Sequence, residues 1–230
     1  MNPLRCLLLL CCASVLLSAD AAPIRIIALG DSITKGVRGG VTVQETFAAR
    51  VEATLRVQDI AVEVINTGIG GERTDQALAR LDKDIVALKP AIVVIMYGTN
   101  DSYVDVGRTV PRLTVQEYRA NLVNLVKQLR AAGIVPILMT EPRWGRAAKP
   151  NGAGEHPNLR LEKYVEACRD VAKEMKVPLV DHFRVWTEQE TKGVDVGAWT
   201  TDQCHPNPLG HQKLADTLLP ILRAALSVAK

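Results

Sequence analysis

At 230 residues, with 47% hydrophobic and 23% charged side chains, the chain is long enough to bury one sizeable core. Its 16 Gly and 12 Pro are spread along it and no stretch is compositionally collapsed, which excludes a collagenous or largely disordered protein. A net charge of +3 from scattered Lys and Arg, with only 4% aromatic residues, gives no basic groove and argues against nucleic acid as a partner.

The chain opens with Arg5 ahead of an apolar run from Cys6 to Leu17, and small residues then end in Ala19-Asp20-Ala21. This pattern predicts a signal peptide over residues 1–21, cleaved after Ala21, and a single domain over 22–230 in a periplasmic or secreted protein. The run is too short to span a bilayer well and no later one approaches eighteen residues, so stable membrane insertion is not expected. Cleavage removes three of the five cysteines and leaves Cys168 and Cys204 in an oxidising compartment, where a disulfide between them stays an open alternative.

Five apolar runs of strand length follow: Ile24 to Leu29, Ala61 to Ile65, Ala91 to Tyr97, Ile134 to Met139 and Val177 to Val180. Helical patterns alternate with them. The first has Thr42 and Glu45 as a capping box and carries Val43, Phe47, Val51 and Leu55 on one stripe; the second carries Leu78, Leu81, Ile85 and Leu88. The third runs from Thr114 and Glu117 to a stop at Gly133, and the fourth from about Asn158 to Met175 with Cys168 on its apolar face. The fifth begins at Asn207 and Pro208. Alternating helices and near-continuous apolar strands predict an α/β fold, a three-layer α/β/α sandwich on a five-stranded parallel sheet. Pro136 is the one irregularity, and its missing N–H should face a gap or an edge.

In such sheets ligands bind beyond the carboxyl ends of the strands, so the loops there deserve the closest reading. After the first strand, Gly30-Asp31-Ser32 puts a serine hydroxyl on a tight turn, as a nucleophile or as a plain turn cap. After the second, Asn66-Thr67-Gly68-Ile69-Gly70-Gly71 is a glycine-rich loop whose spacing is not that of a dinucleotide or phosphate loop. After the third, Gly98-Thr99-Asn100 offers an amide that can donate to an oxyanion or close an Asx turn. Just before the last helix, Asp202-Gln203-Cys204-His205 sets a carboxylate within reach of an imidazole.

Taken together, the four blocks in this order resemble the SGNH hydrolases, also called the GDSL family of esterases and lipases, over nearly the whole of residues 22–230. The resemblance implies a flavodoxin-like fold with Ser32 as nucleophile, His205 as general base and Asp202 as its orienting partner. It also implies an oxyanion hole made by the Ser32 and Gly71 backbone N–H groups and the Asn100 side chain. Acyl transfer of this kind needs no metal and no organic cofactor, and no motif indicates one.

The substrate is less legible. Trp144 falls in the Pro/Gly-rich loop from Glu141 to Pro157, and Trp186 and Trp199 fall between the last strand and the Asp202–His205 pair, so all three are candidates to line a cleft for sugar rings. With Arg143, Arg146 and Lys149 in the same loop, this favours removal of short acyl groups such as acetate from a carbohydrate. A lysophospholipase or thioesterase, or a non-catalytic carbohydrate-binding relative, are the alternatives. The Asp202 charge should raise the His205 pKa, placing the acidic limb of the rate profile at or somewhat above about 6.5.

Overall fold

The computed structural model describes residues 22–228, so the expected signal peptide lies outside the described residues. The apolar runs form β1 (Ile24–Gly30), β2 (Val62–Asn66), β3 (Ile92–Met96), β4 (Val135–Met139) and β5 (Leu179–Val180), paired in parallel in the order β2-β1-β3-β4-β5. After β1 the chain steps outward to β2, then returns to the other side of β1 for β3 and continues to β5. The strand order therefore reverses between β1 and β3, where the following loops diverge and leave a crevice.

Helices α1 (Ser32–Lys35) and α2 (Phe47–Val57) follow β1, and α3 (Thr74–Arg80) follows β2. Then α4 (Thr99–Ser102) and α5 (Val115–Ala131) follow β3, α6 (Pro157–Glu174) follows β4, and α7 (His182–Thr191) and α8 (Pro208–Val228) follow β5. Strand side chains alternate between two cores. Ile26, Ala28, Val94 and Met96 pack with Phe47, Val51 and Leu55 of α2 and Leu214, Leu218 and Leu222 of α8. Their neighbours Ile27, Leu29, Val93 and Ile95 pack with Leu122, Leu125 and Leu129 of α5 and Val171 of α6 on the opposite face. Among the described residues, no helix is long and apolar enough to cross a membrane.

The expected third and fourth helices, α5 and α6, lie where the periodicity puts them; three details differ. The Thr42–Glu45 box caps a single 3-10 turn, and α2 starts one step later on the Thr46 hydroxyl, which accepts from Ala49 N. The expected second helix is regular only to Arg80, then widens into a π turn and tightens into a 3-10 turn before β3, while still burying Leu81 and Ile85. Helix α7 was not legible as a separate element: its run of aromatic, β-branched and polar residues has weak helix propensity, and Asp181 starts it by accepting from Arg184 N.

Pro136 sits in an inner strand at no cost to the ladder. In β4 the odd-numbered Val135 donates toward β3, whereas Leu138 and Thr140 donate toward β5. The Pro136 nitrogen thus points to the β5 side, before that two-residue strand begins. The two thiols are free and buried on opposite faces of the sheet, Cys168 in the α5/α6 core and Cys204 in the α2/α8 core, so they do not pair.

Candidate active site

The Gly-Asp-Ser turn is a helix start. The Asp31 Oδ1 accepts from Ile33 N at 2.8 Å and caps α1, which leaves Ser32 as the first helical residue at the end of β1. Its half-buried Oγ lies 2.9 Å from His205 Nε2.

On the other face of that imidazole, Nδ1 is 2.8 Å from Asp202 Oδ2. The three-residue spacing works because Asp202 folds its own loop: its Oδ1 accepts from the Cys204 and His205 amides at 3.2 and 2.8 Å. The loop is closed at its base by Thr201 N to His205 O at 2.8 Å and by Asn207, whose side chain donates to Ala198 O and accepts from Leu209 N and Gly210 N to start α8. Two further residues fix it, Arg38 from outside the four motifs and Gln203 from within the last. Arg38 Nη2 pairs with Asp202 Oδ2 at 3.0 Å. Gln203, in the left-handed region at φ 71°, accepts from Gly145 N through its backbone oxygen and from Ala147 N through Oε1, tying the long loop after β4 to the His205 loop.

The electrostatics correct one expectation. Burial lowers the His205 pKa below 6.5, and although Asp202 pulls it upward, burial prevails, with the Arg38 guanidinium adding to the lowering. Burial pushes the Asp202 carboxyl up, but the His205 amide and ring and the Cys204 amide outweigh it and hold the carboxyl below its ordinary value. At neutral pH the arrangement is therefore a neutral imidazole between a hydroxyl and a carboxylate, able to take the Ser32 proton.

The glycine-rich loop after β2 is pinned from several sides. Arg80 pairs with the buried Glu72 at 2.6 Å and also donates to Thr67 O, and Tyr97 Oη donates to Glu72 at 2.6 Å. Gly68 packs so closely on α1 that a Cβ there would lie 2.2 Å from Lys35 N. Of the adjacent pair, Gly70 is the one facing Ser32, since its Cβ would lie 4.0 Å from Ser32 Cβ, whereas Gly71 needs its freedom for a φ of 78°. The peptide joining them carries the Gly71 N–H.

Asn100 sits in α4, held through both ends of its amide. Its Nδ2 donates to Asp31 Oδ2 at 2.7 Å and its Oδ1 accepts from Arg112 Nη1 at 3.1 Å. Arg112 is itself forked onto Asp105 at 2.7 and 3.0 Å and lies over the Tyr103 ring. These contacts fix the orientation of the amide and leave its second N–H free. Asp101, next along α4, accepts from the Thr74 amide at 3.0 Å and thereby fastens the end of the glycine-rich loop to the same short helix.

The tryptophans separate. Trp144 is half-buried and stacks on Tyr103 with ring centroids 6.2 Å apart, which links it to the Arg112–Asn100 side of the site. Trp186 and Trp199 do not line a cleft: Trp186 is 0% and Trp199 8% exposed, and they pack edge to face at 5.2 Å in the α2/α8 core. The unanticipated α7 turns Trp186 inward, and the 3-10 turn Val196–Trp199 does the same for Trp199. His211 likewise turns from the site, accepting from Phe47 N through Nδ1, and burial lowers its pKa to about 4.

Residues 28–213 match the model of the GDSL-like lipase/acylhydrolase family. The chain belongs to that family. It is similar to esterase TesA of Pseudomonas aeruginosa, with 27% identity over 94% of this chain and 96% of that one. An acetylxylan esterase of Geobacillus stearothermophilus is 27% identical over 85% of this chain and 92% of its own length. A crystal structure of a catalytic mutant of Axe2, an acetylxylan esterase of that organism, superposes with a TM-score of 0.71 at 25% identity, covering 87% of this chain and 94% of that one. The protein is thus a hydrolase, a serine esterase of the GDSL/SGNH type, on the α/β sheet expected of it.

Proposed function

We propose that this family member is an exported esterase that removes short acyl groups, acetate foremost, from a carbohydrate. Ser32 is the nucleophile, His205 the general base and Asp202 the residue that orients and charges against it. The observation that carries this reading is the unbroken line from Ser32 Oγ through His205, at 2.9 and 2.8 Å, to Asp202 Oδ2. His205 Nε2 takes the Ser32 proton as Oγ attacks the ester carbonyl. The developing oxyanion is received by the Ser32 and Gly71 amides and by the free Nδ2–H of Asn100. The protonated imidazole then gives its proton to the departing sugar oxygen, and water, activated by the same base, hydrolyses the acyl-serine.

Two things support the substrate class. Two sets of relatives carry names of acetate-ester hydrolysis, the acetylxylan esterase and the isoamyl acetate-hydrolyzing esterase homologues of mammals, one of which is 28% identical over 88% of this chain. Trp144, stacked on Tyr103, is an aromatic group on the oxyanion side of the crevice that suits a sugar ring. Export rests on the pattern of residues 1–21 and on likeness to a Bacillus subtilis protein named a lipoprotein, 30% identical over 72% of this chain.

The test is a chain-length series of p-nitrophenyl esters from acetate to octanoate, run beside an acetylated xylo-oligosaccharide. Acetate should be preferred and acetate should be released from the sugar. A kcat/KM that climbs with chain length would instead support the lysophospholipase or thioesterase reading. In the same assay Ser32→Ala should lose about 10⁶-fold in kcat; a folded variant that keeps turnover would overturn the mechanism.

A further inference from the structure

Glu141 belongs to none of the four motifs. It follows β4 and is 1% exposed, neither of its carboxyl oxygens has a hydrogen-bond donor in bonding geometry, and no Lys or Arg among the described residues pairs with it. What it touches is another carboxyl group, that of Asp31, which is 0% exposed. The Thr99 amide acts on it too, and the other titratable groups around it, Asp101, Tyr118, Cys168 and Cys204, bring no cation.

Two carboxyl groups in contact in a dry interior cannot both ionise, because neither the mutual repulsion nor the lost hydration is offset. One proton must stay with the pair. Asp31 already uses Oδ1 to accept from Ile33 N and Oδ2 to accept from Asn100 Nδ2, both of which need it as an acceptor. The proton therefore belongs on Glu141, from which it is donated to Asp31.

Resting on the esterase reading above, we propose that Glu141 is a positioning residue: a permanently protonated acid that donates to Asp31, keeps Asp31 an acceptor, and through it holds the Asn100 amide in the orientation that presents N–H to the oxyanion. Burial accounts for the direction of both groups, pushing Asp31 up to about 7 and Glu141 well above its ordinary value. Without the acid, Asp31 would have to take up a proton itself, become a donor, and favour the flipped amide, whose Oδ1 would repel the oxyanion.

Glu141→Gln replaces the protonated acid by a neutral donor of the same shape, and Glu141→Leu removes the donor at similar volume. The Gln variant should keep kcat within about threefold of the parent, whereas the Leu variant should lose about ten- to a hundredfold in kcat with KM little changed, part of the cost of losing an oxyanion donor outright. A Gln variant as slow as the Leu variant would overturn the proposal, since it would mean that the charge of Glu141 is what matters. The infrared spectrum at pH 7 decides independently of turnover and of whether the Leu variant folds. The parent and Ser32→Ala should both show the C=O stretch of a buried protonated carboxylic acid, and Glu141→Gln should lack it. An unchanged spectrum in Glu141→Gln would overturn the proposal, while retained turnover in Ser32→Ala would overturn only the esterase mechanism.

Discussion

In the His205 loop Asp202 reaches His205 across 3 residues, and the Asp202 side chain is 41% exposed. On the proposed oxyanion side Asn100 reaches Asp31 across 69 residues and Thr74 reaches Asp101 across 27, and both of those carboxyl groups are fully buried. The first assembly needs only a turn of the right shape, which Asp202 itself supplies by accepting from two amides of its own loop. The second exists only when the ends of β1, β2, β3 and β4 are brought together. A local site of this kind tolerates solvent and is tuned by a single neighbour such as Arg38, whereas the distant one depends on burial and on where each proton sits.

The comparison breaks most visibly at Asp202. Asp202→Asn should cut kcat by about 10⁴-fold by permitting the wrong tautomer. Because the Asp202 charge raises the His205 pKa, its removal should also move the acidic limb of kcat/KM further down, from a parent limb already below 6.5. The pH–rate profile of both enzymes on one soluble acetate ester measures this. A limb that stays fixed with little loss of rate would place the orienting role elsewhere.

On the buried side, Asn100→Ala should cost about 10²- to 10³-fold in kcat with the acidic limb unmoved, since the base is untouched. That separation of rate from pH dependence sharpens the contrast between the halves. An unchanged kcat would return Asn100 to a turn-forming role.

The tryptophans provide a third contrast. Trp186→Ala empties a fully buried site and should lower unfolding stability by about 3–5 kcal/mol in denaturant titration. Trp144→Ala should leave stability closer to the parent and raise KM for an acetylated oligosaccharide more than for p-nitrophenyl acetate. Equal effects on the two esters would remove Trp144 from the sugar site.

The smallest effect is expected at Arg38. Its guanidinium is among the groups that lower His205, so Arg38→Gln should move the acidic limb upward toward 6.5 with kcat on the plateau changed by only a few fold. A downward shift would mean that Arg38 acts mainly by holding Asp202 in place.

By itself the sequence determined the sheet, the long helices and the four loops that carry Ser32, Gly71, Asn100, Asp202 and His205, because period, caps and short motifs are local properties. It also carried the reason Pro136 is harmless, although only the shortness of β5 showed which gap its nitrogen faces. Tertiary structure alone decided that Trp186 and Trp199 are core, because α7 has weak propensity and is stabilised by what it packs against. It decided equally that His205 lies below rather than above its ordinary pKa, because desolvation is a property of the folded surroundings and outweighs the one charge visible nearby in the chain. Arg38, Arg112, Asp105 and Glu141 lie in no motif; what joins them to the site is distance in space, which no spacing along the chain encodes.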